Sequence, residues 1–474
     1  MYNILWIFLF KYFYEVIRMT LEDFICHPTG ARVALLGIGR ANRAVLAWLQ
    51  AAGCSPIVMT EQMPDEGTRL CLQKLGVPLT VSPFRQGIDA DVLVRSPGLR
   101  PDLPVLAEHQ RAGGLVTEES AVTLSLLPCP VIGVTGSDGK TTTAALCEAL
   151  LRAAGARVWL GGNNGVPLLG RIGEIKKADI AVMELSSFQL MGAPRAADVA
   201  ILTNITPNHL NWHTDMAEYI AAKCNILDLH TRLVTNAACE ITRRIGLAHA
   251  ARGGKVVLFG GNSADSQNTG EIFADGADVV LRESGADTRY TCLRDFQLAG
   301  RHNRENLLAA LAATAPWLTP AAPALALRGF YGVPHRLQYV ATVRGVRYYN
   351  SSIDTSPTRT AAALSALDGS PIVIAGGRGK GISLAPLCAA LREHARAVCL
   401  YGETAVEIAA GLGTHPHSVH VRFAEAFAAA AALAREGDTV LLSPGCTAFG
   451  EFTDFEERGA CFCRLVEALA AERK

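Results

Sequence analysis

Residues 130–143 read Pro-Val-Ile-Gly-Val-Thr-Gly-Ser-Asp-Gly-Lys-Thr-Thr-Thr, and this stretch decides the fold class. Val131, Ile132 and Val134 make a buried strand, and a tight turn follows. Leu146, Ala149, Leu150 and Ala153 then recur at the spacing of one helical face, with Gly155 as its stop. A strand, glycine turn and helix in that order aim several backbone N–H groups at one point, where the helix N-terminus adds partial positive charge. Gly136, Ser137, Asp138, Gly139, Lys140, Thr141 and Thr142 are therefore candidate phosphate ligands. Lys140 brings a full charge, and Thr141 a hydroxyl for Mg²⁺. The strict phosphate-loop pattern is not met: its first glycine would fall at Val134, and Gly133 stands one place early. An ordinary strand–turn–helix with a polar turn is the plain alternative.

Downstream, Asp179–Val182 and Met183 lead to Glu184, a carboxylate at the end of an apolar strand. Beside a phosphate loop, an acid there suits a hard cation. A strand over 198–203 runs into Asn204-Ile205-Thr206-Pro207-Asn208-His209-Leu210, with His213 four places beyond His209. Leu210 stands where the zinc-protease motif requires Glu, so zinc is not expected. His209, just past a strand end, is a candidate for the metal or substrate, whereas His213 reads as a surface or core residue. Asp215 and Glu218 predict a capped helix through Leu229 on which Tyr219, Ile220, Ile226 and Leu227 share the face of Lys223. Lys223 either snorkels to the surface or is desolvated into a reactive amine.

Upstream, Arg32–Leu36 enters Gly37-Ile38-Gly39-Arg40-Ala41-Asn42, a partial dinucleotide fingerprint with Asn42 in place of the third glycine. Strand 56–60, a helix-like stretch 65–75 and strand 91–95 follow. The last runs into Ser96-Pro97-Gly98, either a ligand edge or a plain loop. Val158–Gly162 is another strand turning through glycines, towards Asn163. Leu298–Asn306 opens a Leu/Ala-rich helix, and residues 332–336 read as a linker. Beyond it, strands at 346–350, 371–375, 397–401 and 438–442 alternate with helical patterns, the last near 457–471, which predicts a parallel α/β domain. Its turn Gly376-Gly377-Arg378-Gly379-Lys380-Gly381 suits an anion. The expected fold class is α/β in three domains: Rossmann-like over 19–118, a central phosphate-loop ATPase domain over 119–332, and a C-terminal Rossmann-like domain over 333–474.

Residues 1–18 stand apart. The apolar run Ile4–Phe10 is far short of the about 20 residues a bilayer requires, and neither a basic n-region nor a cleavage site flanks it. Translation from Met19 is the expectation, with an interfacial helix the other option; native peptides from 1–18 would overturn it. Lys and Arg total 44 against 44 acids, so bulk charge draws neither nucleic acid nor an anionic membrane. The 13 cysteines include no Cys-x-x-Cys, which predicts reduced thiols in a cytoplasmic protein.

Several motifs now coincide in one order. Gly136–Thr142, Glu184-Leu185-Ser186-Ser187-Phe188-Gln189, His209, Ala221-Ala222-Lys223, His302-Asn303, Pro334-His335-Arg336, Gly376–Lys380 and Leu442-Ser443-Pro444-Gly445-Cys446 together resemble the Mur ligase family of peptidoglycan synthesis, over residues from about 30 to the C-terminus. The Glu-Leu-Ser-Ser-Phe-Gln run looks like its D-glutamate-adding branch. The resemblance implies that ATP phosphorylates the carboxylate of UDP-N-acetylmuramoyl-L-alanine and that the D-glutamate amine attacks the acyl phosphate. By the same likeness Lys140, His209 and Lys223 are catalytic. Thr141 and Glu184 hold one Mg²⁺; His209 and Lys223, the latter as a carbamate, organise a second. Asn303 and Arg336 match ATP contacts. Arg40, Ser96, Pro97, Gly98 and Asn163 match UDP-sugar contacts, and Thr355, Lys380 and Phe455 match D-glutamate contacts. A monomer is expected. Where many members have Asp-Ser-Lys after the asparagine, this chain has Ser351-Ser352-Ile353, and Ala448 and Gly450 replace a serine and an acid. These departures keep two other readings in view: a related amide-forming ligase with another acceptor, and an inactive nucleotide-binding homologue. An NAD oxidoreductase built on Gly37-x-Gly39 would leave Lys140, Glu184 and Lys223 unexplained.

Overall fold

The computed structural model describes residues 19–471, apart from 86, 164, 165, 194, 195, 211, 262–268, 299 and 368. The reading of residues 1–18 lies outside the described residues. The chain forms two compact units: one of residues up to Phe296 together with Arg301–Arg328, the other of Gln297–Gly300 and the residues from Gly329 onward. Three sheets run through them, of five, nine and six strands.

The first sheet is wholly parallel. Its order is Leu79–Val81, Ile57–Thr60, Val33–Leu36, Val92–Arg95, Leu115–Thr117. Val33–Leu36 and Val92–Arg95 are buried at every position, as central parallel strands covered on both faces must be. The chain leaves these two neighbours in opposite directions, so a crevice opens beyond their carboxyl ends.

The second sheet, in the same unit, repeats this logic. Val131–Thr135 lies between Ile180–Glu184 and Val199–Leu202, all fourteen residues buried and all three strands parallel. Val158–Gly162 closes one side, while Arg232–Asn236 and Val256–Phe259 extend the other. An antiparallel meander, Gly270–Asp275, Asp278–Glu283 and Ala286–Thr291, completes the sheet. The sequence pattern passed over this meander because only Asp278–Glu283 has a run of buried apolar residues; Ala286–Thr291 is exposed at five of six positions.

In the other unit the order is Gln338–Val343, Val346–Asn350, Thr439–Gly445, Ile372–Gly376, Ala397–Tyr401, His417–His420. The four predicted strands are present and parallel, but the sheet is not parallel throughout. Gln338–Val343 pairs antiparallel with Val346–Asn350 through a two-residue turn at Arg344 and Gly345, both at positive φ.

The helix that begins at Asp215 also differs from expectation. It spans Met216–Cys224 and stops there, not at Leu229. Asn225 follows as its cap, with its amide on the Leu190 carbonyl at 2.9 Å. The Ile226 carbonyl is taken by the Ala197 N–H at 3.0 Å. Ile226 therefore packs in the core from outside the helix. All thirteen cysteines are free thiols. Among the described residues, no helix is long and apolar enough to cross a membrane.

Candidate active site

The loop after Val131–Thr135 emerges at the carboxyl edge of the nine-stranded sheet. Gly136 and Gly139 adopt φ 147° and 80°, conformations open to glycine. Gly139 caps the helix Lys140–Ala153. Asn204 and Thr203, just past the neighbouring strand, brace the turn. The Asn204 carbonyl accepts from Ser137 N–H at 2.8 Å and its Oδ1 from Asp138 N–H at 2.9 Å, while Thr203 Oγ1 donates to the Asp138 carbonyl at 2.6 Å. Asn306, on the helix Arg301–Thr314 that also carries Asn303, accepts from Thr143 Oγ1 at 3.2 Å and closes over Gly139. Lys140 Nζ donates back to the Gly136 and Ser137 carbonyls at 3.0 and 2.8 Å. Thr141 and Thr142 stand in the first turn of the helix, half-buried.

Glu184 ends its strand 2% exposed. Asn163 Nδ2 donates to its Oε1 at 2.9 Å, whereas its Oε2 is buried with no hydrogen-bond partner. A bare buried carboxylate oxygen is costly unless a cation meets it. Gly162, at φ 97°, crosses directly over the Glu184 carbonyl, and a Cβ there would collide with it. Gly162→Ala should therefore cost about 3 kcal/mol of stability, read from denaturant unfolding.

Lys223 is 1% exposed, which settles the sequence alternatives in favour of desolvation. Its Nζ donates to the Gly136 carbonyl at 2.8 Å and Thr135 Oγ1 at 3.3 Å, and lies 4.7 Å from the Tyr219 ring centroid. Tyr219 OH in turn meets Ser137 Oγ at 3.0 Å. Burial first, then the charge of Lys140, pull the Lys223 ammonium down to about 7. Partial burial and the charges of Lys140 and Lys223 likewise hold the His209 imidazole below its ordinary range, so at neutral pH it is an uncharged donor of a lone pair. His209 sits at φ 56°, a left-handed conformation unusual for a residue with a Cβ, and its ring lies against Phe188 at 5.0 Å. Such backbone strain concentrates at functional positions. His213 is a core residue, held between Ser187 Oγ at 2.9 Å and Glu218 Oε2 at 3.1 Å.

In the five-stranded sheet the crevice is walled by Gly37 and Ser96. Ser96 Oγ donates to the Leu36 carbonyl at 2.9 Å, and buried Asn42 donates to the Leu36 and Gly37 carbonyls at 3.0 and 2.9 Å. Asn42 thus ties the turn to the strand ends, which accounts for its presence at the third-glycine position. Arg40 is the first residue of the following helix and is exposed. Pro97 is half-buried, Gly98 exposed.

In the C-terminal unit, Lys380 Nζ donates to Thr355 Oγ1 at 3.1 Å, which joins two sequence candidates. Phe455 opens the helix Phe455–Ala471; its carbonyl accepts from Ser352 Oγ at 2.8 Å. Arg336 is exposed on the segment before Gln338–Val343. Two functional-looking residues escaped the sequence reading. Asp354 is buried, accepts from Ser443 Oγ at 2.8 Å, and is pushed up to about 6 by burial. The 351–355 loop therefore does carry an acid, three places after the position where the family pattern has one. Arg458 is 0% exposed and, among the described residues, bonded to neutral oxygens only: Ser352 Oγ and carbonyl, Tyr401 OH and the Cys446 carbonyl, at 2.8–3.2 Å. Buried Arg95, by contrast, has Glu118 at 2.7 Å.

Among the described residues, no three His, Cys, Asp or Glu side chains converge as a preformed metal cage. The unpartnered Glu184 oxygen, beside a loop shaped for phosphate oxygens, is the all-oxygen donor chemistry that suits a hard cation such as Mg²⁺.

Residues 134–314 match the Mur ligase middle domain, and residues 335–446 match the Mur ligase glutamate ligase domain. The chain is 38% identical over 454 residues to the UDP-N-acetylmuramoylalanine–D-glutamate ligase of Symbiobacterium thermophilum, covering 93% of this chain and 98% of that one. It is 36% identical over 466 residues to the same-named protein of Ruminiclostridium cellulolyticum, covering 95% and 99%. The solved UDP-N-acetylmuramate-alanine ligase of Thermotoga maritima shares the fold, with TM-score 0.52, 19% identity, and 92% and 99% of the two chains covered. The chain belongs to the Mur ligase family. It is an ATP-dependent ligase of peptidoglycan precursor synthesis.

Proposed function

We propose that this enzyme joins D-glutamate to UDP-N-acetylmuramoyl-L-alanine. The near full-length likeness to relatives of that name supports the reading. The observation that carries the chemistry is the convergence of Lys140 and Lys223 on the Gly136 carbonyl of one phosphate loop, with a carboxylate that has a bare buried oxygen at the end of the adjoining strand; the charges of both lysines reach His209. A carboxylate oxygen of the UDP-linked substrate attacks the γ-phosphorus of ATP and ADP leaves. The amine nitrogen of D-glutamate then attacks the acyl carbon, phosphate departs, and the nitrogen loses its proton. The loop N–H groups and Lys140 hold the phosphates and oppose the charge that builds on them. Thr141 and Glu184 would hold one Mg²⁺, and His209 and Lys223 would organise a second; together these would supply Lewis-acid stabilisation of the same charge.

Lys223 acts as a carbamate. Once the ammonium has lost its proton, the neutral nitrogen adds to CO₂ and releases a second proton, leaving a carbamate anion able to ligate a cation. Arg40, Ser96, Pro97, Gly98 and Asn163 face the UDP-sugar. Asn163 would then touch substrate while fixing Glu184. Asn303 and Arg336 bind ATP; Thr355, Lys380 and Phe455 bind D-glutamate. In this reading the three sheets mark three domains, 19–118, 119–332 and 333–474, of a cytoplasmic monomer.

The test is phosphate release from Mg²⁺–ATP with UDP-N-acetylmuramoyl-L-alanine, comparing D-glutamate, other amino acids and no acceptor. Release that depends on D-glutamate is expected. Release with a different amino acid would show that Ser351, Ile353 and Ala448 belong to a redirected pocket. No release from folded, ATP-binding protein would mark an inactive homologue.

A further inference from the structure

Arg100 stitches two loops from different sheets together. It lies four residues beyond Ser96, on the loop that leaves Val92–Arg95. Its Nη2 and Nη1 donate to the two carboxylate oxygens of Glu218 at 3.0 and 3.2 Å. Nη1 also donates to the Trp212 carbonyl, and the guanidinium stands 5.1 Å from the Trp212 ring centroid. Trp212 Nε1 returns a hydrogen bond to the Gly98 carbonyl at 3.0 Å. Asp102 grips the other edge of the guanidinium at 2.8 Å through Nε and Nη2, so its plane is fixed.

The far side of this clasp leads to His209. Glu218 accepts from Thr214 N–H at 2.9 Å and from His213, and His213 reaches Ser187. The N–H groups of Trp212 and His213 both donate to the His209 carbonyl at 2.9 Å. The strained backbone of His209 is thus held by residues that Arg100 holds. Lys223 stands on the helix whose first turn carries Glu218.

We infer that Arg100 is a positioning residue that makes the 96–100 loop and the His209 segment one body, so that filling the sugar-nucleotide crevice orders the His209 segment. The inference rests on the proposed reading that Ser96–Gly98 face the UDP-linked substrate. Its benefit is alignment: an error of about 1 Å between reacting groups can cost a hundredfold in rate. A lysine could not replace the clasp, because one ammonium cannot serve two carboxylates and a carbonyl from a rigid plane.

The experiment is hydrogen exchange on the full chain with and without UDP-N-acetylmuramoyl-L-alanine, in the absence of ATP and Mg²⁺. In the wild type the ligand should slow exchange both at 96–103 and in peptides covering His209 and 212–219. In Arg100→Met, protection at 96–103 should persist and protection of the His209 segment should vanish. With all substrates present, kcat should fall about tenfold or more while KM for ATP stays within about twofold, with Arg100→Lys in between. Glu218→Gln should behave alike, and the double variant should be no worse than either single one. Should Arg100→Met fail to fold, Glu218→Gln, which keeps a hydrogen-bonding side chain, carries the test alone. Protection of the His209 segment that survives in the variant overturns the inference. So does its absence in a wild type that protects 96–103. No protection at 96–103 in the wild type overturns the substrate reading as well.

Discussion

Lys140→Ala should lower turnover by on the order of a thousandfold or more while leaving the protein folded. The argument is one of position. Lys140 is the first residue of a helix capped by Gly139, where the N–H groups and the helix dipole already favour an anion, and it adds the full charge. In the unliganded structure that charge rests on the Gly136 and Ser137 carbonyls. Hydrogen bonds from a charged donor are worth about 2 kcal/mol each, so losing both would lower stability by less than the roughly 5–15 kcal/mol that holds a domain folded. The rate loss would therefore be chemical, read from phosphate release with thermal unfolding as control. The substitution has a second signature. Lys140 contributes to the depression of both Lys223 and His209, so both groups should titrate higher in the variant. Wild-type turnover would sink the phosphate-loop role.

For Lys223→Met the expected loss of activity comes with a gain in stability that depends on pH. The folded-state ammonium titrates near 7, against 10.5 as its ordinary value, with burial the largest cause. The folded protein therefore binds fewer protons at this site than the unfolded chain between those limits. The cost of burying the amine is greatest below about pH 7, on the order of 5 kcal/mol, and is relieved as pH rises toward 10.5. In CO₂-free buffer the variant should exceed the wild type most clearly at or below pH 7, and the difference should shrink on going to pH 10. A difference that does not vary with pH would mean that the amine is not desolvated. The carbamate is tested separately with Lys223→Ala. Turnover should be mostly lost, and short carboxylic acids should restore part of it by occupying the space with an anion. Full activity without additive would dismiss the carbamate.

Much of this was legible in residue order, for a physical reason. Parallel strands buried on both faces are written as continuous apolar runs, and whatever follows their carboxyl ends stands at a crevice. Gly136–Thr142, Glu184, Ser96 and the Gly376–Lys380 turn could all be found that way. Asn204 obeys the same rule, being polar and directly past a strand end, and could have been found by applying it evenly. Asn306 and Arg458 could not. Each acts from inside a helix on a loop distant in sequence, and helical periodicity marks them only as off-pattern polar residues. Arg100 reads as a solvated charge until the fold sets Trp212 and Glu218 beside it. The helix end at Cys224 was misjudged because Ile226 and Leu227 kept the apolar period after the backbone had turned away. The antiparallel meander at 270–291 carries too little alternation to announce itself.

Arg458 has a consequence that reaches beyond packing. Salt ions weaken the field of a surface charge because they can gather round it, on a scale of about 8 Å at physiological ionic strength. None can reach a guanidinium with no exposed surface, and among the described residues no carboxylate bonds to it. Ser352, Tyr401 and the Cys446 carbonyl therefore face a positive charge that dissolved ions cannot shield at its source. Their attachment to the helix that carries Arg458 should be as firm in concentrated salt as in dilute buffer.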